Sequence, residues 1–364
     1  MAAAPEALTP PPPAGAAAEQ RYPVEFTGMA GEYFRIWIVN LALTIITFGI
    51  YSAWAKVRKK RYFYANTLIG GEGFDYRGNP IAILKGRIIA FALLAIYSSA
   101  HYVSPFLQLA FGLALAIAFP WLLVRSLAFN ARNSAYRNLR FHFGGQYADA
   151  LKMLSLCALL VIVTLGLAYP YARARLAKFS ADYHRYGTAQ FALPALTGTF
   201  YGIYLRLIGL MLLLGLVFFI TMVLLGLAAG LAGIDPRGAG PAGFMLVLGP
   251  LGAMVFYLLA FAYPRARIGN AIWNHLTIGS KQVRFESALR VRDLMGLYLV
   301  NILAIVVTLG LATPWAVIRT LRYRAQKTAV LVSGGLDQFV AEQTADVGAS
   351  GEEVGEMFGF DFGF

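Results

Sequence analysis

The sequence predicts an all-α polytopic membrane protein built from tandem helical hairpins, some re-entrant, joined by short cytoplasmic β-like connectors. Three observations lead there. Mean hydropathy is +0.61 and only 13% of residues are charged, about half the usual share for a soluble domain. Seven apolar stretches, at 36–55, 88–98 with its flanks, 106–124, 153–172, 201–233, 243–263 and 294–318, approach or exceed the length that spans a bilayer as helix. A five-position pattern also recurs at identical spacing: Thr47, Gly49, Ala53, Trp54, Arg58; then Thr164, Gly166, Pro170, Tyr171, Arg175; then Thr308, Gly310, Pro314, Trp315, Arg319. Such recurrence reads as an internal repeat.

Charge sets the orientation. The formal net charge is +13, yet all 31 Lys and Arg lie between Arg21 and Lys327, and seven of the 18 acids lie beyond residue 336. Five basic stretches, at 56–61, 125–140, 173–185, 265–292 and 319–327, each follow an apolar segment. The connections at 99–105 and 232–242 hold between them one cation, Arg237. Short basic loops stay cytoplasmic, which puts the five stretches and both termini inside and the two poor connections outside. Segments 88–104 with 106–124, and 201–230 with 243–263, then form ordinary hairpins.

The three Thr-x-Gly segments conflict with that topology if each is a single span, because strongly basic loops would fall outside. A re-entrant hairpin resolves the conflict. The chain enters, turns at Thr-x-Gly and returns, with Gly supplying the turn and Pro170 or Pro314 opening the returning helix. A plain span with a Gly/Pro kink is the alternative. The threonines are placed to satisfy backbone groups freed at the turn, since irregular backbone at membrane depth needs internal partners.

Period-two aromatic patches precede the apolar units: Val24 and Phe26, Phe74 and Tyr76, Phe141 and Phe143, Val283 and Phe285. They read as short strands forming a small cytoplasmic sheet or ribbons. The resulting units run at about 24–72, 74–140, 141–190, 191–282 and 283–339, within a membrane domain of 22–336. An Ala/Pro-rich arm (1–21) without signal-peptide features precedes it. An acidic tail (337–364), read as disordered, follows it.

The block from Glu32 to Thr67, EYFRIWIVNLALTIITFGIYSAWAKVRKKRYFYANT, with GFDYRGNPIAILKGRIIA after it and TLGLATPWAVIRTLRY near the end, resembles the YjgN-like family of bacterial inner-membrane proteins. The resemblance covers about residues 22–364. It implies a multi-pass protein of a bacterial inner membrane. The family is a domain of unknown function, so no catalytic or binding residues carry over.

Chemistry-bearing groups are sparse. The eleven acids outside the tail avoid the apolar cores, which argues against a carboxylate-coupled transporter. His101, His142, His184 and His275 form no metal-binding spacing and read as solvated or interfacial. A single Cys157 excludes disulfides within the chain, and no nucleophile or phosphate-loop motif is present. The sequence therefore predicts no enzyme activity, no cofactor, no metal and no nucleic-acid partner. The candidate intramembrane polar site is Asn40 and Asn301 with Thr47, Gly49, Thr164, Gly166, Thr308 and Gly310. Interhelical hydrogen bonding is the structural reading of the two asparagines. Lys56, Arg58, Arg125, Arg173, Arg175 and Arg319 are candidate contacts for anionic phospholipid headgroups, with Trp54, Trp121 and Trp315 one turn away as interfacial anchors. Two functions remain open: a transport or channel-like protein for a small solute or lipid, and a non-catalytic membrane organiser that binds anionic lipid or partner proteins.

Overall fold

A computed structural model describes residues 19–233 and 239–350. The chain is not all-α. Ten antiparallel strands close into a barrel, and this overturns the all-α polytopic expectation. β1 (Glu19–Phe26) leads into α1 (Ala30–Ile46), α2 (Ser52–Ala65) and β2 (Thr67–Ile69). The same order of strand, helix, helix, strand follows in β3 (Glu72–Tyr76), α3 (Pro80–Val103), α4 (Pro105–Arg132) and β4 (Ser134–Tyr136). Next come β5 (Leu139–Phe143), α5 (Tyr147–Val163), α6 (Tyr169–Asp182) and β6 (His184–Tyr186). Then follow β7 (Ala189–Ala192), α7 (Thr197–Leu231), α8 (Ala239–His275) and β8 (Thr277–Ile278). The last set is β9 (Val283–Ser287), α9 (Val291–Val307), α10 (Thr313–Gln326) and β10 (Thr328–Ser333), and α11 (Leu336–Ser350) ends the described chain. The N-terminal arm up to residue 18 and the tail after residue 350 lie outside the described residues.

The aromatic patches are strands, but they form a closed wall rather than ribbons. β1 pairs with β2 through Val24↔Ile69 and with β10 through Tyr22↔Val330, so the first and last strands shut the barrel. The register sets apolar residues opposite each other around the wall: Phe74↔Tyr136, Phe141↔Tyr186, Phe191↔Ile278 and Phe285↔Val330. These residues pack into one core, with Phe74–Tyr136 and Phe141–Tyr186 ring centroids 4.8 and 5.1 Å apart. Each such aromatic pair adds about 0.5–1.5 kcal/mol beyond area burial. The tyrosine hydroxyls are satisfied inside: Tyr136 donates to the Ile69 carbonyl (2.6 Å) and Tyr186 to the Tyr136 carbonyl (3.0 Å). Burial pushes the Tyr186 phenol up.

The acidic tail begins as α11, where the sequence reading expected disorder. The helix lies over the barrel end formed by the tight strand turns. Phe339 stacks on Tyr186 (6.1 Å), and the Gln343 Oε1 accepts from the Ala189 N–H (2.7 Å) and the Thr188 hydroxyl (2.9 Å). Asp337 pairs with Arg137.

The helices leave the opposite end. Each packs on its neighbours in chain order, and α10 closes on α1 to complete a ring of ten. Among the described residues three helices are long and apolar enough to cross a membrane: α3, α4 and α7. The pairs α1/α2, α5/α6 and α9/α10 are short, with 17 and 14 residues each. At 1.5 Å per residue these reach about 25 and 21 Å.

Their turns explain the Thr-x-Gly pattern. The N–H groups of Gly49, Gly166 and Gly310 each donate to a carbonyl five residues back, at 2.7 Å in all three, which ends the entering helix in a Schellman-type closure. The glycines hold φ of +90°, +94° and +94°. The threonine hydroxyl then spans the break. Thr47 Oγ1 donates to the Leu43 carbonyl (2.7 Å) and accepts from the Tyr51 N–H (2.9 Å). Thr164 and Thr308 do the same for Leu160 and Ala168, and for Ala304 and Ala312. Pro170 and Pro314 occupy the first turn of the returning helices.

A Cβ at Gly310 would meet nothing within 4 Å, whereas at Gly70 (φ +57°) it would lie 2.8 Å from Leu336 Cδ2. Gly310→Ala is therefore expected to lower stability by only about 1 kcal/mol, the backbone penalty alone. Gly70→Ala is expected to lose more, because it also pushes α11 off the barrel. Thermal unfolding of the two variants in detergent gives the comparison, and an equal loss would contradict this account of the α11 contact.

Candidate functional site

The returning helices carry the cationic residues at a common height above the barrel. Arg58, Arg125, Arg175 and Arg319 each lie seven residues before the last residue of α2, α4, α6 and α10, and Arg267 lies eight before the end of α8. The rise per residue places all five about 10–12 Å from the strands. Register causes this alignment, since each returning helix ends where its strand joins the barrel wall. Four of the five joints are capped the same way. The first strand-side residue bonds a carbonyl one turn back in its own helix: Thr67 to Phe63 (2.8 Å), Ser134 to Asn130 (2.7 Å), Thr328 to Arg324 (2.9 Å), and His184 to Ser180.

One turn farther from the barrel stands an aromatic ring. Arg125 lies over Trp121 (5.5 Å), Arg175 over Tyr171 (5.5 Å), Arg267 over Tyr263 (5.9 Å) and Arg319 over Trp315 (5.1 Å). Trp54 instead stacks on Tyr51, and Arg58 is exposed beside it. Lys56 and Arg173 are also exposed at this level. The stacking holds each guanidinium beside its ring while leaving N–H groups for oxygen acceptors. Such a girdle, with rings toward the apolar side and cations toward the barrel, matches the order of groups at a bilayer interface.

The belt deepens into a cleft at the seam between α1, α9 and α10. Its volume is about 690 Å3, and Asp293, Trp315, Arg319, Arg322, Tyr323 and Gln326 line it. Arg322 donates to the Gly28 carbonyl (3.0 Å), while the Arg319 Nη1 is buried without a partner. Tyr323 reaches toward Asp293 (3.3 Å).

The polar candidates do not converge. Thr47 and Gly49, Thr164 and Gly166, and Thr308 and Gly310 sit at three separate hairpin tips. Asn40 and Asn301 are buried on α1 and α9, which α10 separates in the ring. Asn301 Nδ2 donates to the Ala316 carbonyl (3.2 Å) and the Thr320 hydroxyl (3.1 Å) on α10, so it ties one hairpin together. The Oδ1 atoms of Asn40 and Asn301 are both buried without partners. Cys157, at the matching place on α5, is buried as well.

His184 is not a solvated loop residue. It is half-buried at the helix-side end of the barrel, beside Phe143 (5.0 Å) and Phe191 (6.3 Å), and desolvation lowers its pKa. Only its place beside the aromatic patches could have signalled this in sequence, and β7 with Phe191 was missed for want of alternation. Among the described residues no group of three His, Cys, Asp or Glu side chains could hold a metal ion.

The tips themselves are apolar. Phe48, Leu165 and Leu309 hold φ near +50° and are 98%, 94% and 94% exposed. A large apolar side chain held outward at a strained turn position is stable only against an apolar medium. Single cysteines replacing these residues in a Cys157→Ser background, spin-labelled in lipid bilayers, are expected to be relaxed by dissolved oxygen and shielded from aqueous nickel chelates. Preferential relaxation by the chelate would show that the tips stand in water.

The comparisons agree with a membrane location. A protein from Salmonella typhimurium strain LT2 called inner membrane protein YjgN is 27% identical over 365 residues, covering 86% of this chain and 88% of its own. Proteins of the same name from Escherichia coli O157:H7 and strain K12 are each 32% identical over 121 residues, which is 32% of this chain and 30% of theirs. No solved structure matches. The model of a family described as bacterial protein of unknown function (DUF898) matches residues 21–357. The chain is an integral membrane protein and belongs to that family.

Proposed function

We propose that this protein sits in a bacterial inner membrane with its barrel on the cytoplasmic side, and that its arginine belt binds anionic phospholipid headgroups. The carrying observation is the common height of Arg58, Arg125, Arg175, Arg267 and Arg319 on five returning helices. Five guanidiniums in one plane, four of them stacked on rings, form a ring-shaped surface for phosphate oxygens. The cleft at the α1–α9–α10 seam, with Arg319 and Arg322, supplies the deepest part of that surface. Orientation follows from the excess of cations at this level, which favours the cytoplasmic face. The names of the relatives support the compartment.

In this arrangement the long pairs α3/α4 and α7/α8 cross the bilayer, and the three short pairs dip into one leaflet. The role is that of a membrane organiser rather than an enzyme. A transport role has less support. The barrel interior is filled by Tyr136, Tyr186, Val330 and Val332 and covered by α11, and Asn301 is used within its own hairpin.

Anionic lipid is expected to raise the melting temperature of the purified protein more than zwitterionic lipid does. Replacing Arg58, Arg125, Arg175 and Arg319 together by Gln is expected to remove most of the difference, at about 1 kcal/mol per cation. The same four changes leaving the response to phosphatidylglycerol intact would refute the belt as the binding surface. For orientation, a cysteine at Ser104, between α3 and α4, is expected to react with an impermeant thiol reagent in spheroplasts. One at Lys281, in the β8–β9 turn, should react only after lysis, and the reverse pattern would invert the topology.

A further inference from the structure

The belt leaves a second cavity unused. It lies at the helix-side end of the wall, between the last turns of α2 and α4 and the phenylalanines of β3, β5 and β7. Its volume is about 410 Å3, within the range of small-molecule sites. Phe74, Phe141 and Phe191 form its floor, with Phe141 centroids 6.5 and 6.3 Å from the other two. Tyr64, Thr67, Ser134 and His184 supply its polar atoms.

Those polar atoms share one character. The His184 Nδ1 faces the Ser180 carbonyl. A carbonyl only accepts, so Nδ1 carries the proton and Nε2 is left with a lone pair. The Thr67 hydroxyl donates to the Phe63 carbonyl (2.8 Å), leaving oxygen lone pairs. Ser134 uses its single proton on the Asn130 carbonyl (2.7 Å). The Tyr64 and Ser134 hydroxyls are 3.2 Å apart, so the proton between them comes from Tyr64, and the Tyr64 oxygen too is left as an acceptor. The remaining polar neighbour, Asn130, accepts from Lys60 at its Oδ1 (2.6 Å) and donates one of its two N–H groups to the Ser126 carbonyl (2.8 Å). The cavity thus offers flat aromatic walls and hydrogen-bond acceptors on His184, Thr67 and Tyr64, with one amide N–H of Asn130 beside them.

We infer that this cavity binds an uncharged, membrane-soluble aromatic molecule bearing one hydroxyl, a phenol or naphthol in class, whose O–H donates to His184 Nε2. The ring stacks against Phe74, Phe141 and Phe191, and such contacts favour aromatic over aliphatic occupants. An isostere that cannot donate leaves the acceptors unpaired and is rejected. A carboxylate or phosphate is disfavoured, because its charge would lie on the aromatic floor and face the lone pairs of His184, Thr67 and Tyr64. The site is separate from the arginine belt, which recognises anions.

The test uses the full-length protein in phosphatidylcholine nanodiscs, titrated with 2-naphthol and with 2-methoxynaphthalene and corrected for uptake by empty nanodiscs. Saturable binding of 2-naphthol, at least tenfold tighter than that of the methoxy compound, is the expected result. Absence of saturable binding, or equal affinity for the two, overturns the assignment. His184→Phe keeps the ring and removes the acceptor, and is expected to weaken 2-naphthol binding about tenfold. A second reading needs no variant: in 15N-histidine-labelled protein, one unprotonated Nε2 resonance should shift with 2-naphthol and not with 2-methoxynaphthalene. No shift with 2-naphthol, or the same shift with both compounds, also overturns it.

Discussion

The pairing of β1 with β10 shuts a wall of ten strands, and the place of every helix depends on that closure. Several strands are only two or three residues long. Strands this short do not persist as isolated hairpins, because an unpaired edge leaves backbone groups without partners. In a closed wall each strand has a neighbour on both sides, and the inward side chains fill one core. The ends of all five helix pairs are therefore fixed on one circle. A common height for the arginines follows from helix rise alone once that circle exists.

The same requirement, that no backbone group be left unsatisfied away from water, operates at the far end of the short hairpins. There the chain has no sheet to join. The threonine hydroxyl and the glycine at positive φ replace it, carrying the backbone from the entering to the returning helix through five-residue links. Because both ends of the hairpin return to the barrel, the tip is free to present Phe48, Leu165 or Leu309 outward. The structure thus separates three chemical levels: an aromatic core with α11 over it, a ring of cations stacked on rings, and apolar tips. Function in this protein is best understood by level rather than by a single cluster of residues.

Much of this was legible in the chain. The Thr-x-Gly turns, the proline of the returning helix and the spacing of ring and arginine are all local, set within one or two turns of backbone. So are the strands carrying Phe74, Phe141 and Phe285, whose period of two is visible over a few residues. What could not be read was their pairing. Val24 meets Ile69 across 45 positions of chain, and Tyr22 meets Val330 across most of it. Read locally, the strands support only a small sheet or ribbons, and the long apolar segments then point to an all-α fold. The acidic composition of the tail likewise concealed α11, because Leu336, Phe339 and Gln343 are few and acquire meaning only against Tyr186, Gly187 and Ala189.

For the site the division is similar. The sequence by itself determined that Arg58, Arg125, Arg175 and Arg319 lie one turn from an aromatic residue, since i, i+4 spacing on a helix is fixed by its pitch. It also marked a break at each Thr-x-Gly, a turn or a kink, since those residues satisfy the freed backbone from within. Only the tertiary structure decided that the arginines form one belt, that Asn40 and Asn301 stay apart, and that His184 lines an aromatic-floored cavity. Each of these depends on which strands are neighbours around the barrel, and neighbourhood is fixed by ring closure over hundreds of residues, not by any local preference of the chain.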